Sequence, residues 1–344
     1  MQVRLTQLDG PLPNLALMKL AHWHKARGDH VHVTRHIEPE LFEPQYDQVY
    51  GSAIFKFSAA RIERFKKQWP DGILGGTGVD AEFVSLDELG TSRERQHLNV
   101  EHIIGVDGWG YEHYDYEGWP DIDYSIGFTQ RGCRLKCKFC VVNGKEGKNR
   151  SVNTIADIWR GDPHPRKLHL LDNDFFGQAE WRDRIAEIRD GGFRVCWSQG
   201  LNARLFDQES CEALATVKFR DADFKRRRLY TAWDNLNDEG IFFKGVELLE
   251  RAGIPPKLLM VYMLIGFSKT ETWDTIWHRF LRMTACGIKP YPMVFDRSRG
   301  DLRAFQRWVN LHMYRIVPWD EFQEPRKSAE SVAAYHRATR KKAA

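Results

Sequence analysis

From residue 123 to about 309, short apolar runs alternate with amphipathic segments, and that alternation limits the fold more than any other feature. The runs read as strands near 125–128, 167–171, 194–198, 228–232, 258–264 and 291–295. Apolar residues at three- and four-residue spacing read as helices near 152–159, 180–189, 208–216, 239–252, 273–285 and 302–309. Strands separated by helices return parallel, which predicts an α/β fold with a helix-covered parallel sheet. Six such units favour an open or closed barrel of parallel strands, with chemistry at the carboxyl ends of the strands.

Segment 1–84 repeats the scheme on a smaller scale. Strands are expected at 3–8, 30–34, 48–55 and 73–74, with helices at 15–26 and 61–69. Asn14 is suited to cap the first helix, which should stop at Gly28. Loops at the carboxyl ends would carry Asp9-Gly10, Gly51-Ser52 and Gly75-Gly76-Thr77-Gly78, and the glycines of the last would let backbone N–H groups approach an anion or a ring. The stretch 85–122 is rich in Gly, Asp, Tyr and Trp without a sustained period and reads as a linker. A core over 123–300 should follow, then 301–344 as a helical cap (308–322) and a basic tail, either a surface helix or partly disordered.

Chemistry concentrates in Gly132-Cys133-Arg134-Leu135-Lys136-Cys137-Lys138-Phe139-Cys140. Three thiolates on so short a loop can hold three irons of a cubane cluster, because Cys is the soft ligand of iron–sulfur sites. Without a fourth Cys nearby, one iron would keep an open position for a substrate or cofactor. Zinc and core packing compete. Structural zinc takes four ligands in two close pairs, a pattern absent here, and the flanking Arg134, Lys136 and Lys138 do not suit a core.

The Cys-x3-Cys-x-aromatic-Cys spacing, with Phe139 as the aromatic, resembles the signature of the radical S-adenosylmethionine (SAM) enzymes. The lead-in from Tyr124 to Gly132 is similar to the branch holding methylthiotransferases and cobalamin-dependent radical enzymes. The resemblance implies a 4Fe-4S cluster on Cys133, Cys137 and Cys140, and SAM chelated at the open iron. It also implies a (β/α)6 partial TIM barrel, preceded by a Rossmann-like, cobalamin-binding-like domain. An electron, supplied by a reductase such as flavodoxin or ferredoxin, would cleave SAM to methionine and a 5′-deoxyadenosyl radical.

It further implies cofactor contacts at each strand end. Phe139 belongs to the cysteine loop itself. Asp172, Asn173 and Asp174 stand where the family meets the methionine amino group, though polar residues after a strand are also ordinary turn chemistry. Gln199 and Arg204 lie in a Gln-Gly-Leu-x-x-Arg run that faces the cofactor in relatives. The planar fork of Arg204 suits a carboxylate, with an ion pair to Asp207 or Glu209 as the plain alternative. Asp234 would accept from the ribose hydroxyls or act as a helix N-cap. Gly266 would let backbone approach the adenine, or simply turn the chain.

Segment 1–84 resembles the cobalamin-binding domain in front of many radical SAM cores, so cobalamin is a further candidate cofactor. The Asp-x-His-x-x-Gly motif that supplies a lower cobalt ligand in some of them is absent. Two further functions compete: a cobalamin-dependent radical SAM methyltransferase, and a non-catalytic iron–sulfur or zinc protein that binds nucleic acid. A net charge of +4 is weak support for a polyanion partner, and the patches 225–228 and 340–342 read as solvated surface. Cys196, Cys211 and Cys286 sit singly in apolar segments and read as packing residues. The paired histidines His22/His24 and His30/His32 read as strand or helix surface. No apolar run approaches a membrane span, and residues 1–5 lack a signal-peptide core, so a cytoplasmic location is expected, which suits an oxygen-sensitive cluster.

Overall fold

The computed structural model of the protein describes residues 1–79 and 113–343, which form two compact units, Met1–Asp123 and Tyr124–Ala344. Most of the expected linker lies outside the described residues. Both units are mixed α/β with parallel sheets.

The first unit carries strands β1 (Gln2–Gln7), β2 (His30–Thr34), β3 (Gln48–Ser52) and β4 (Ile73–Gly75), all parallel, in the order β2-β1-β3-β4. β1 is central, so Val3, Arg4, Leu5 and Thr6 are all fully buried. Arg4 is tolerated there because its Nε donates to Glu43 at 2.8 Å and its Nη2 to the carbonyls of His36 and Glu38. The helix Leu15–Ala26 begins as expected at Asn14, whose Oδ1 accepts from Leu17 N–H at 3.2 Å. The helix Ala59–Gln68 buries Ile62 and Phe65. Gly51 makes room for Phe65, since a Cβ there would lie 2.8 Å from the ring. His24, expected on the surface, is buried, with Nδ1 2.7 Å from Asp29 and Nε2 3.2 Å from the Tyr50 hydroxyl.

The second unit holds two parallel sheets. One contains β5 (Ser125–Gly127), β8 (Lys167–Leu170), β9 (Arg194–Trp197) and β10 (Lys218–Phe219), in the order β10-β9-β8-β5. The other contains β11 (Leu229–Ala232), β12 (Leu259–Ile265) and β13 (Lys289–Val294), in that order. A parallel bridge between Leu201 and Thr231 joins them, with Leu201 N–H donating to the Tyr230 carbonyl at 2.8 Å. A two-residue antiparallel pair, β6 (Gln130–Arg131) and β7 (Arg150–Ser151), follows β5.

Along β12 burial alternates: Leu259, Val261, Met263 and Ile265 are fully buried, while Met260, Tyr262 and Leu264 are half-buried. The first set packs with the surrounding helices in the main core. Tyr262 and Met260 join a separate cluster around Cys196, Phe224 and Tyr230. Cys196 and Cys211 are free and buried, as packing residues should be.

The chain end differs from expectation. Between 311 and 322 only a single 3₁₀ turn forms, Met313–Arg315. The tail is an ordered helix, Ala329–Ala343, and it is not merely laid on the surface: Ala334 and Ser331 are fully buried, and Trp277 Nε1 donates to the Ser331 carbonyl at 3.1 Å. Trp277 and Trp319 are fully buried in the aromatic cluster this helix covers, which is why the segment folds. No described helix is long and apolar enough to cross a membrane.

Candidate functional site

The cysteine loop leaves β6 at Gly132, whose φ is +76°; a Cβ there would lie 2.3 Å from the Lys148 carbonyl oxygen. Glycine alone fits that turn. Cys133, Cys137 and Cys140 follow as free thiols, the first two half-buried and the third exposed. Leu135 N–H donates to Cys133 Sγ at 3.4 Å, and Cys140 N–H to the Cys137 carbonyl at 3.0 Å. Burial pushes the Cys133 thiol up, and the adjacent Asp174, Cys137 and Cys140 add to the rise. Cys140 is raised likewise, by burial first and then by Cys137, Glu146 and Asp234.

Three buried carboxylates brace this loop. Glu146 accepts from Arg131 Nη1 at 3.2 Å, from Gly132 N–H at 3.1 Å and from Asn173 Nδ2 at 2.8 Å. Asp172 accepts from Thr129 N–H at 2.7 Å, Thr129 Oγ1 at 2.8 Å and Gln130 N–H at 2.9 Å. Burial pushes its carboxyl up to about 7, against the pull of these donors. Asp174 takes the Arg134 fork through Nε at 2.7 Å and Nη2 at 2.9 Å, and also accepts from Arg134 N–H and Asn149 Nδ2, each at 3.1 Å. Of the residues expected to meet a cofactor, Asp174 bonds to Arg134 in the cysteine loop, Asn173 to Glu146, and Asp172 to Thr129 and Gln130 just before the loop. The cause is strand order: β8 lies beside β5, so the polar residues that follow it reach the β5–β7 connection.

Loops after β9, β11 and β12 bring other expected residues to the same place. Arg204 Nη2 lies 3.8 Å from Cys137 Sγ, while Nη1 pairs with Asp238 at 2.7 Å and Nε donates to Asn202 at 3.1 Å. Its ion-pair partner is thus neither Asp207, which caps the helix Gln208–Ala215, nor Glu209, which pairs with Arg182. Asp234 accepts from Leu264 N–H at 2.8 Å, and the adjacent cap falls to Asn235 instead. Burial pushes the Asp234 carboxyl up, offset by that N–H and by the Arg279 and Arg204 charges. Phe139 meets Phe267 edge-on at 5.5 Å between ring centroids, and Phe267 meets Phe295 at 4.9 Å. Gly266, with φ +79°, turns the chain between Ile265 and Phe267 and donates its N–H to Glu271 at 2.5 Å. Gln199 is exposed on the loop after β9.

Several members of the site carry no motif. Arg279 is 1% exposed, and its Nη1 donates to the carbonyls of Trp233, Asp234 and Leu264 at 3.0–3.2 Å. Its Nη2 pairs with Glu271. One guanidinium therefore ties the ends of β11 and β12, the two strands that present Asp234 and Phe267. Glu146 and Gln130 act similarly beneath the cysteines; Gln130 Nε2 donates to the Gly132 carbonyl at 2.7 Å and its Oε1 accepts from Asp174 N–H at 2.8 Å.

In the first unit, the glycine loop packs closely against the chain after β3. Cβ atoms at Gly76 and Gly78 would fall 2.2 Å from the Ala53 carbonyl oxygen and 2.6 Å from the Phe55 backbone. Those glycines let the loop pack against residues 53–55. Asp9 accepts from Ile54 N–H, Phe55 N–H and Ser58 Oγ at 2.8 Å each.

The donor set at 133–140 fits an iron–sulfur group by chemistry: three soft thiols on one braced loop, with an arginine on one sulfur and an aromatic between two of them. Among the described residues, no three His, Cys, Asp or Glu side chains stand already gathered as a metal ligand set. Neither a family model nor a curated protein matches the chain.

Proposed function

We propose that this protein is a radical SAM enzyme acting on a substrate yet to be identified. The observation that carries the reading is convergence: loops after β5, β9, β11 and β12 bring Arg204, Asp234 and the Phe139–Phe267 pair around the three cysteines. Supporting it, β5, β8 and β9 are neighbours in chain order, as are β11, β12 and β13, and the bridge at Leu201 links the two runs, with the short β10 paired to the start of β9. In this reading Cys133, Cys137 and Cys140 hold a 4Fe-4S cluster. When bound, such a cluster would supply the electron for reductive cleavage of SAM, the source of the hydrogen-abstracting radical in this class of enzyme.

The chain's own residues do the positioning. Arg204 stabilises charge beside Cys137 and places a cation where a carboxylate can meet it. Asp234, held by Leu264 N–H, has a second oxygen to accept from a ribose hydroxyl. Phe139 and Phe267 give an apolar wall against which a purine can stack. Arg279 and Glu271 fix the strand ends that carry these groups. A reductase such as flavodoxin or ferredoxin would deliver the electron.

The order β2-β1-β3-β4 supports a Rossmann-like reading of the first unit, whose ligand crevice would lie between the ends of β1 and β3. Asp9 at that place is bonded internally to Ile54, Phe55 and Ser58. Anaerobic reconstitution followed by iron and sulfide analysis tests the main reading. We expect about four irons and four sulfides per chain, lost when Cys133, Cys137 and Cys140 are all replaced by Ala. Zinc without sulfide, or a full cluster in the triple variant, would refute it.

A further inference from the structure

The opposite edge of the second unit carries a feature the cysteine chemistry does not use. At the amino-terminal ends of β9 to β13 stand Arg194, Lys218, Arg228, Lys257 and Lys289, one basic residue per strand start. The connection before β11 adds Lys225, Arg226 and Arg227, and the turn after the helix Gly300–Asn310 adds His312 and Arg315. Several other arginines of this unit are paired with carboxylates: Arg182 with Glu209, Arg189 with Asp190, Arg282 with Glu239 and Arg337 with Asp274. Along this edge none of Arg194, Arg226, Arg228, Lys289 or Arg315 has an ion-pair partner among the described residues.

The cations are held in place. Phe224 is buried in a left-handed conformation, φ 57°, and Asp221 Oδ1 accepts from Lys225 N–H at 2.9 Å and Arg226 N–H at 3.1 Å. That tight turn presents 225–227 outward. Arg228 Nη1 reaches the carbonyls of Lys257 and Leu259 at 3.2 and 3.4 Å, which binds the β11 start to the β12 start. Lys289 pairs in register with Met260 on the other side of β12. Burial and then mutual repulsion lower the pKa of Lys289 (Arg228, Arg315 and Arg226) and of His312 (Lys289, Arg315 and Arg228), so these groups sit within one field. His312 Nδ1 is buried without a hydrogen-bond partner.

A repelling row of unpaired cations costs stability unless an anion neutralises it. The starts of β11, β12 and β13 lie side by side, about 4.8 Å apart, and with Arg226 and Arg315 beside Arg228 and Lys289 they form a patch wider than one phosphate that matches a chain of them. No exposed aromatic side chain interrupts the row between 225 and 228, so base stacking is not provided for there. We propose that this edge binds the phosphodiester backbone of a nucleic acid, without reading its sequence. The proposal is independent of the cysteine site and is tested by binding alone.

The test is fluorescence anisotropy of the full chain with labelled single-stranded RNA and duplex DNA of mixed sequence, across a salt series. Affinity should fall steeply with salt and be indifferent to sequence. Replacing Arg226, Lys289 and Arg315 by Gln should weaken binding and flatten the log–log salt slope for single strands by about 2, at roughly 0.7 per lost phosphate contact. A control with the same net charge, Arg182→Gln with Arg189→Gln and Arg337→Gln, should keep the parent slope. An unchanged slope in the first triple variant, or an equal loss in the control, would overturn the proposal. So would binding to phosphatidylserine vesicles by a protein that binds neither nucleic acid.

Discussion

Both units place polar residues at the carboxyl ends of parallel strands, yet the two sets are used differently. In the first unit Asp9 and Gln7 bond to their own loops: Asp9 to residues 54, 55 and 58, and Gln7 Nε2 to the carbonyls of residues 9, 10 and 12 at 2.7–3.0 Å. In the second unit Asp172, Asp174 and Glu146 brace one loop, and bracing it leaves Arg204, Asp234 and Phe139 presented around free thiols. Topology offers a site in both places. What differs is whether a layer of buried carboxylates supports a second layer that has donors left over.

The comparison can be broken by removing the support. Arg279→Ala would leave Glu271 buried without its cation and three strand-end carbonyls without a donor, which should destabilise the second unit by about 3–5 kcal/mol. Denaturant unfolding checks this. A loss below about 1 kcal/mol would mean that Arg279 is not a strut.

Acid acts on buried groups of both units. Burial holds His169 down at about 4, so its contribution is complete above the unfolded value near 6.5 and is lost as pH falls from there through about 4. At about 1.4 kcal/mol per pH unit this amounts to about 3 kcal/mol. For Glu43, burial acts to raise the pKa, but Arg4, the Glu40 N–H and Tyr46 outweigh it and bring it to about 2. That contribution is present above about 4.5 and is lost as pH falls toward 2. Asp172, in the same unit as His169 and raised to about 7 by burial, takes up its proton over the same range and offsets the His169 loss. Hydrogen exchange at stepped pH should therefore show the second unit losing protection with acid only when Asp172 is replaced by Asn, and an equal loss in the parent would contradict this.

Smaller effects sharpen the contrast. Arg204→Ala and Asp234→Ala should each weaken SAM binding about tenfold to a hundredfold, or roughly 1.5–3 kcal/mol, while the iron content stays at the parent level. Asp9→Ala should cost about 1–2 kcal/mol in the first unit and leave SAM affinity unchanged. Equal SAM affinity in all three variants would remove Arg204 and Asp234 from the cofactor map.

The strands were legible because each is an apolar run of fixed length between helix patterns; β5, β8, β9, β11 and β12 fall within one or two residues of expectation. The Cys spacing was equally plain. Glu146, Glu271 and Arg279 were not, because a buried charge looks like a surface charge until its partner is known. Arg279 left one trace: with Ile276 and Met283 it keeps a three-then-four spacing on the buried face of the helix Trp273–Ala285, where an apolar residue would be expected. Asp172 and Asp174 were legible as polar residues after a strand, but their direction depended on β8 lying beside β5. The basic run 225–228 was visible as well. Its continuation through Lys289, His312 and Arg315 comes from strand pairing and from the turn after Gly300–Asn310, which no local pattern reports.

The central claim is that the braced cysteines carry a cluster able to cleave SAM. Anaerobically reconstituted protein, reduced with dithionite and given SAM, should release 5′-deoxyadenosine slowly even without substrate, as measured by chromatography with mass detection. The Cys133, Cys137 and Cys140 triple Ala variant should release none. A reduced, cluster-replete sample that leaves SAM intact would contradict the account.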